Sequence, residues 1–460
     1  MGTSLQFEHF HLLLLRKDAT ELLLDRAPSG ARLPVLTIPA NQRTAEELTR
    51  AVWNSWGVGT YALLTLPIED SVGPVAVLEL TSPAERFPGE MQWRTVGSLC
   101  SADFDDAANF AAMKHGLEVL DHYRQGKLPG SFAKPGCFRT VTAWVKERAT
   151  ETGLRLNGTF RHVNAGPSFS LVRFETDGPG LWFKAVGPPN LHEYGISLTL
   201  AARFPGFVPQ IVGSRPAWSA WLTKEAQGTH PDEASEIRTW ATIARRLADL
   251  QHASFGQALD LLDLGCRDVR IDTLLRLVDP FVDVMAGVME QQKKDLPARL
   301  SPGELRTLGA QLQDVLLHFE SLGVPNLLGH LDLNPGNILV SLDQCVFLDW
   351  AEAYVGPPFL TFQYILEHLR RLCPARGGWE QILHSEYFDG WQSLVPENEL
   401  REAAAATPLL AVFAYAVSWN AWANATRRAQ PDVAAVLRSM TRSMKREADA
   451  LALRRSTCLR

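Results

Sequence analysis

Apolar positions in the first part of the chain fall in short runs separated by turns. His11–Leu15 and Glu21–Asp25 predict a hairpin pair, and Tyr61–Leu66 with Pro74–Leu80 predict two further strands. Between the pairs, Thr44–Trp56 has helical spacing and opens T-A-E-E, the signature of a capping box. A second helix is expected over about Asp105–His122. Residues 1–125 therefore predict a small α+β domain. The stretch Arg124–Gly136, RQGKLPGSFAKPG, concentrates Gly, Pro, Ser and Lys and predicts a linker over 126–136.

Beyond it the pattern predicts a helix over Thr140–Thr152, then strands at Gly158–Val163, Phe169–Glu175 and Leu181–Val186. The turn Asp177-Gly178-Pro179-Gly180 joins the last two as a hairpin. A helix over His192–Arg203 and strands near Val208–Val212 and Ala217–Thr223 follow. From Glu233 onward the period is helical, interrupted by one strand-rich island between Leu328 and Trp350.

Composition narrows the function classes. Of 460 residues, 46% are hydrophobic and 21% charged, which excludes a disordered chain. A net charge of −6 without a basic block argues against nucleic acid or anionic membrane as a partner. Six scattered cysteines with no CxxC pair exclude a disulfide scaffold and a zinc cluster, and suit a reducing, cytoplasmic setting. Leu12–Leu15 is cut short by Arg16, Lys17 and Asp18, so it is no signal-peptide core. Thr407–Ala425 carries no formal charge over a length that could cross a bilayer. Ser418, Asn420, Asn424 and an early proline make a buried core helix the expectation, with no membrane span.

The chemistry concentrates in GHLDLNPGNILVSLDQCVFLDW, Gly329–Trp350. It holds H-x-D-x-x-x-x-N (His330, Asp332, Asn337), a short apolar strand Ile338–Val340, a polar turn, and a second strand Cys345–Leu348 ending in Asp349. A loop thus delivers a carboxylate and an amide, and the hairpin returns a second carboxylate to the same end. Phosphoryl transfer from Mg-ATP needs that set: one carboxylate to accept a hydroxyl proton, and oxygen ligands for magnesium. On this reading Asp332 is the base, Asn337 and Asp349 hold the metal, and His330 braces the loop.

HLDLNPGNILV followed by FLDW resembles the catalytic loop and metal-binding segment of the aminoglycoside phosphotransferase and choline kinase-like superfamily. The resemblance implies an α+β, bilobal protein kinase-like fold behind the small α+β N-terminal domain. Its small β-rich lobe would span 137–226 and its large helical lobe 227–460. It also implies a strand lysine for the phosphates held by a helix glutamate; Lys184 in L-W-F-K-A-V and Glu193 match. The turn Asn164–Ser168 would cover the phosphates, with Gly166 and Ser168 nearest, although Pro167 removes a donor. Backbone groups at Lys224, Glu225 and Ala226 would meet the purine of ATP or GTP. The implied acceptor is a hydroxyl of a small molecule: an aminoglycoside-like compound, amino alcohol, sugar or natural product.

The pattern departs from the family in places. Asn334 stands where a histidine is common. G-D-P and a later aspartate usually follow the metal-binding strand; here Gly356-Pro357-Pro358 follows, with Thr361 near the aspartate's place. Bracing of the metal loop is what that change affects. Glu352 reads as a solvated loop residue, and Asp103, Asp105 and Asp106 as helix-start carboxylates rather than a metal site. Asp260, Asp263 and Asp268 are the acidic candidates for a polycationic acceptor. The first domain faintly resembles a Nudix-like fold, but Asn54 and Ser55 replace the Arg-Glu pair that hydrolysis requires. A homodimer contact or protein partner is expected of it instead. An alternative is a non-catalytic kinase fold that binds nucleotide or scaffolds through its N-terminal domain.

Overall fold

The computed structural model describes residues 6–40, 42–67, 73–82, 87, 90–342 and 344–458. The architecture is α+β, and the chain divides into two compact units. The first comprises Met1–Tyr194 with Gln210–Glu225; the second comprises Gly195–Pro209 with Ala226–Arg460.

The first unit opens with β1 (Phe7–Arg16), β2 (Glu21–Ala27), β3 (Gly30–Arg32) and β4 (Val35–Pro39). α1 (Thr44–Trp56), β5 (Thr60–Leu66), β6 (Val75–Leu80), β7 (Gln92–Thr95) and α2 (Ala107–Arg124) follow. The strands form one sheet in the order β3-β2-β1-β6-β5, with β4 on β1 and β7 on β2. β1 and β6 run parallel, Leu13 opposite Val77. The four leucines of β1 explain this sheet: Leu13 and Leu15 enter one apolar cluster, Leu12 and Leu14 another beneath α1. A strand covered on both faces reads as a continuous apolar run, not an alternating one.

Two local expectations change. Thr44 is the first helical residue of α1, and the cap is Arg43, which makes no side-chain capping bond. At α2, Asp106 is the cap and accepts the N–H of Ala108. Asp103 accepts the N–H of Cys100 instead. Among the described residues no cluster of His, Cys, Asp and Glu could hold a metal ion.

The last part of the segment after α2, Phe132 to Gly136, is fastened to the first unit. Phe132 and Ala133 are buried, Phe132 donates its N–H to Pro167, and the N–H of Gly136 reaches the Glu79 carboxylate. α3 (Cys137–Glu151) leads into β8 (Leu156–Gly166), β9 (Phe169–Thr176) and β10 (Leu181–Ala185). α4 (His192–Arg203), β11 (Ile211–Arg215) and β12 (Ala220–Lys224) complete a five-stranded sheet ordered β11-β12-β10-β9-β8. β11 and β12 start later than their apolar runs suggest. Val208 packs into the helical unit's core, and Pro216–Trp218 forms a 3-10 turn.

Within the first unit the two sheets share a core in which Leu13, Tyr61, Phe132, Phe138, Val172 and Phe183 meet. The His162 ring stacks on Tyr61 at 4.1 Å, and its Nδ1 accepts the N–H of Ala62. Burial pushes the pKa of His162 down from 6.5 to about 3, so the folded state holds it neutral. The unfolded chain takes up that proton first as pH falls. The histidine's stabilising share is therefore complete above pH 6.5 and is lost through the window down to about 3. The unfolding free energy from urea titrations between pH 7.5 and 5 should fall, below about pH 6.5, by up to about 1.4 kcal/mol per pH unit more than in His162→Gln. Equal slopes in the two proteins would contradict this.

The second unit is mainly helical. In order it contains α5 (Ile237–Ala253), α6 (Ala258–Asp263), β13 (Arg267–Asp268), α7 (Ile271–Glu290) and α8 (Pro302–Ser321). β14 (Leu327–His330), β15 (Ile338–Ser341), β16 (Gln344–Phe347) and β17 (Ala353–Gly356) form the island. α9 (Phe359–Leu372), α10 (Trp379–Phe388), α11 (Glu397–Ser418), α12 (Ala425–Arg428) and α13 (Pro431–Cys458) close the chain. β14 and β17 pair antiparallel, His330 opposite Ala353, and β15 and β16 form a hairpin. Gly329 sits where any Cβ would lie 2.0 Å from the Tyr354 ring, so only glycine fits. α11 is long and apolar enough to cross a membrane, and its Leu409, Leu410, Phe413 and Ala414 are buried in this unit's core. The cysteines with described side chains are all free thiols.

Candidate active site

β14 delivers His330 into the core with 1% of its surface exposed, and the chain then turns out into the loop carrying Asp332. The ring's hydrogen bonds fix its tautomer. Nδ1 accepts the N–H of Asp332 at 3.0 Å, so Nε2 carries the proton and donates to the Leu348 carbonyl at 3.1 Å. Burial holds the pKa of His330 below the usual histidine value, against the pull of the Leu348 carbonyl and nearby carboxylates. The neutral ring therefore ties the Asp332 loop to the residue just before Asp349. The Trp350 indole packs beside it at 4.9 Å and donates Nε1–H to the Phe347 carbonyl.

The backbone side of His330 is held just as closely. Its N–H donates to the Thr361 hydroxyl oxygen at 2.9 Å. Tyr354 gives its hydroxyl proton to the Pro357 carbonyl at 2.9 Å. The Thr361 proton is thereby directed to the Tyr354 oxygen, 3.1 Å away. His330, Thr361 and Tyr354 are all buried, so each bond in this chain replaces solvation that is no longer available. Thr361, near the place of the aspartate that the family pattern has, thus braces the start of the Asp332 loop, whereas the departure from that pattern was expected to affect the metal-binding loop.

Asn334 caps a 3-10 turn over Pro335–Asn337, its side-chain oxygen accepting the Gly336 N–H at 2.8 Å. Its amide donates to the Asp332 carboxylate at 3.0 Å, so Asn334 acts directly on the predicted base. Asn337 donates Nδ2–H to the Asp332 carbonyl at 2.8 Å, and Leu348 donates its N–H to the Asn337 carbonyl at 2.8 Å. Asp349 ends the second strand in a left-handed conformation, φ 58° and ψ 71°, which costs a non-glycine residue about 1 kcal/mol or more. The turn leaves its residue exposed. With the Asn337 nitrogen used inside the loop, the Asn337 oxygen and the Asp349 carboxylate are oxygen donors of the kind a hard cation takes.

Three acidic residues are committed elsewhere. Glu352, expected to be solvated, pairs with Arg267 at 2.7 Å. Asp268 is gripped by Arg270 and Thr273, and the Arg270 contact lowers its pKa. Asp260 pairs with Arg203 at 2.9 Å.

In the first unit, Lys184 on β10 and Glu193 at the start of α4 meet at 2.5 Å, with the Glu193 side chain 2% exposed. The Lys184 ammonium also lies 5.7 Å from the Trp221 ring centre, a cation–π distance. Gly166 and Ser168 bracket the β8–β9 turn, where Gly166 pairs with Phe169. That turn is occupied by its own chain: the Pro167 carbonyl takes the Phe132 N–H, and the Phe169 ring covers Gly166. At the end of β12, Lys224 and Glu225 spend their N–H groups on the carbonyls of Gln210 and Gly180. The Glu225 carboxylate has a second role with no local signature in the chain. Arg173 grips both its oxygens at 2.6 and 2.8 Å, Trp182 donates to it at 3.1 Å, and the guanidinium lowers its pKa.

Residues 168–396 match the model of the phosphotransferase enzyme family. Among curated proteins, none matches the sequence. Solved structures that resemble the chain include macrolide 2'-phosphotransferase MphH from Brachybacterium faecium. It is 19% identical, covers 64% of this chain and 97% of its own, and has a TM-score of 0.43. An ethanolamine kinase from Plasmodium vivax is 14% identical, covering 73% of this chain and 93% of its own, with a TM-score of 0.44. Choline kinase LicA from Streptococcus pneumoniae is 13% identical, covering 68% and 99%, with a TM-score of 0.42.

Proposed function

We propose that this chain, whose residues 168–396 belong to the phosphotransferase enzyme family, transfers the γ-phosphoryl group of ATP or GTP to a hydroxyl of a small molecule. The observation that carries the reading is the His330 ring, which joins the Asp332 loop to the strand ending at Asp349 by two hydrogen bonds. A scaffold has no need of a neutral, fully buried histidine that fixes a carboxylate loop and a second carboxylate strand together.

Asp332 orients the acceptor hydroxyl and takes its proton as the new O–P bond forms and the bond to the nucleoside diphosphate breaks. Asn334 and Asn337 hold Asp332 in place by their amide groups. Asn337 and Asp349 would hold magnesium, which offsets charge on the phosphate oxygens when bound. Lys184, fixed by Glu193, meets those oxygens with its ammonium. Ala226, with the backbone at Lys224 and Glu225, meets the purine edge, and the Gly166–Ser168 turn lies toward the phosphates.

Thermal shift tests this directly. Magnesium with ATP or GTP at about a hundred times Kd should stabilise the wild type by about 2.7 kcal/mol. Asp349→Ala should abolish the magnesium-dependent part, and Lys184→Met should reduce the nucleotide-induced shift measured from the variant's own basal Tm, which falls because Glu193 loses the Lys184 ion pair. No shift with either nucleotide would sink the proposal.

A further inference from the structure

The first unit contains a cleft of about 1040 Å³ that the phosphotransfer chemistry does not use. Its walls come from α1 and the end of β6 on one side, and from α3 and β8 on the other. Of the lining residues, Phe174 alone falls within residues 168–396, so the cleft is built by the part of the chain outside the family match. It has the size and mainly apolar wall of a site for a small organic molecule. Trp53, Phe138 and Phe160 supply flat apolar surface.

One cation on the wall favours an anion. Lys17, Arg50, Arg139, Lys146 and Arg161 line the cleft, against the carboxylates Asp18, Glu46 and Glu79, and Lys17 and Arg50 pair with Glu21 and Glu47. Two of those carboxylates are already neutralised: Asp18 pairs with Arg139, and Glu46 with Arg161 at 3.4 Å. Burial raises the pKa of Glu79, and its oxygens accept the Gly136 N–H. Lys146, exposed on α3, has no ion pair among the described residues. The cleft is also lined by Thr60, whose buried hydroxyl has no partner among the described residues, an unusual condition for a group 2% exposed.

We propose that this cleft binds an amphipathic organic anion, a flat apolar body carrying one carboxylate, phosphate or sulfonate group, with the acidic group at Lys146. The site is separate from the phosphotransfer site and does not depend on that reading.

The test uses 8-anilinonaphthalene-1-sulfonate as the anionic probe and N-phenyl-1-naphthylamine as its uncharged counterpart, both followed by fluorescence on the full chain. The expected result is saturable sulfonate binding that is at least about tenfold tighter than that of the neutral probe. Lys146→Glu should remove that advantage without weakening the neutral probe. Ala143→Trp, at an exposed helical position lining the cleft, should block both probes. Unchanged Tm in both variants separates lost binding from lost folding. Equal affinity for the two probes, or sulfonate binding that survives both substitutions, would overturn the proposal.

Discussion

Asp332→Asn should lower kcat by about a thousandfold, within the range lost with a general base, while nucleotide-induced stabilisation and Tm stay at wild-type values. The substitution is structurally mild because the asparagine oxygen can still accept the Asn334 amide that holds Asp332 at 3.0 Å. What it removes is the capacity to take a proton. Turnover of any acceptor that the wild type phosphorylates, together with a nucleotide thermal shift, gives the measurement. A variant that turns over at the wild-type rate would remove Asp332 from the chemistry. A variant that loses nucleotide binding as well would point to a collapsed loop rather than a missing base.

Thr361→Val should cost about 1–3 kcal/mol of stability, the penalty for leaving the buried His330 N–H without an acceptor. Valine fills the same volume, so no cavity contributes. The loss also releases the start of the Asp332 loop, and a small displacement there should reduce kcat by about ten- to a hundredfold. Thr361→Ser keeps the oxygen and should restore both quantities almost fully. Urea midpoints and kcat on the same three proteins decide the matter. If valine and serine behave alike, the hydrogen-bond chain through Thr361 and Tyr354 does not position the loop.

The features legible in the sequence were those encoded by local pattern. α1 and α4 occupy the ranges that their spacing predicts, Thr44–Trp56 and His192–Arg203. Lys184 and Glu193 were found because the family resemblance calls for a strand lysine held by a helix glutamate, and a lone lysine among apolar strand residues is costly to bury without a partner. The parts that stayed hidden depend on contacts between distant positions. Thr361 acts on His330 across 31 residues of chain, and Arg173 acts on Glu225 across 52. Neither has a local signature, since a threonine in a helix and an arginine in a strand are ordinary. β7 was missed for a related reason: Gln92–Thr95 is half-exposed and polar, and is held by pairing with β2 rather than by its own pattern.

The buried stretch around Phe132 bears on how the first unit behaves as a physical object. Phe132 and Ala133 sit in the same cluster as Leu13 and Tyr61 from the first sheet and Val172 and Phe183 from the second. Melting one sheet would strip apolar cover from the other, so the two should lose structure together in a single cooperative transition. The opening residues are then no detachable module that could be shed or exchanged by recombination at 126–136. They share the stability of the β-sheet that presents Lys184, and mutations in Leu13 or Tyr61 would reach the phosphotransfer machinery through the melting temperature they hold in common.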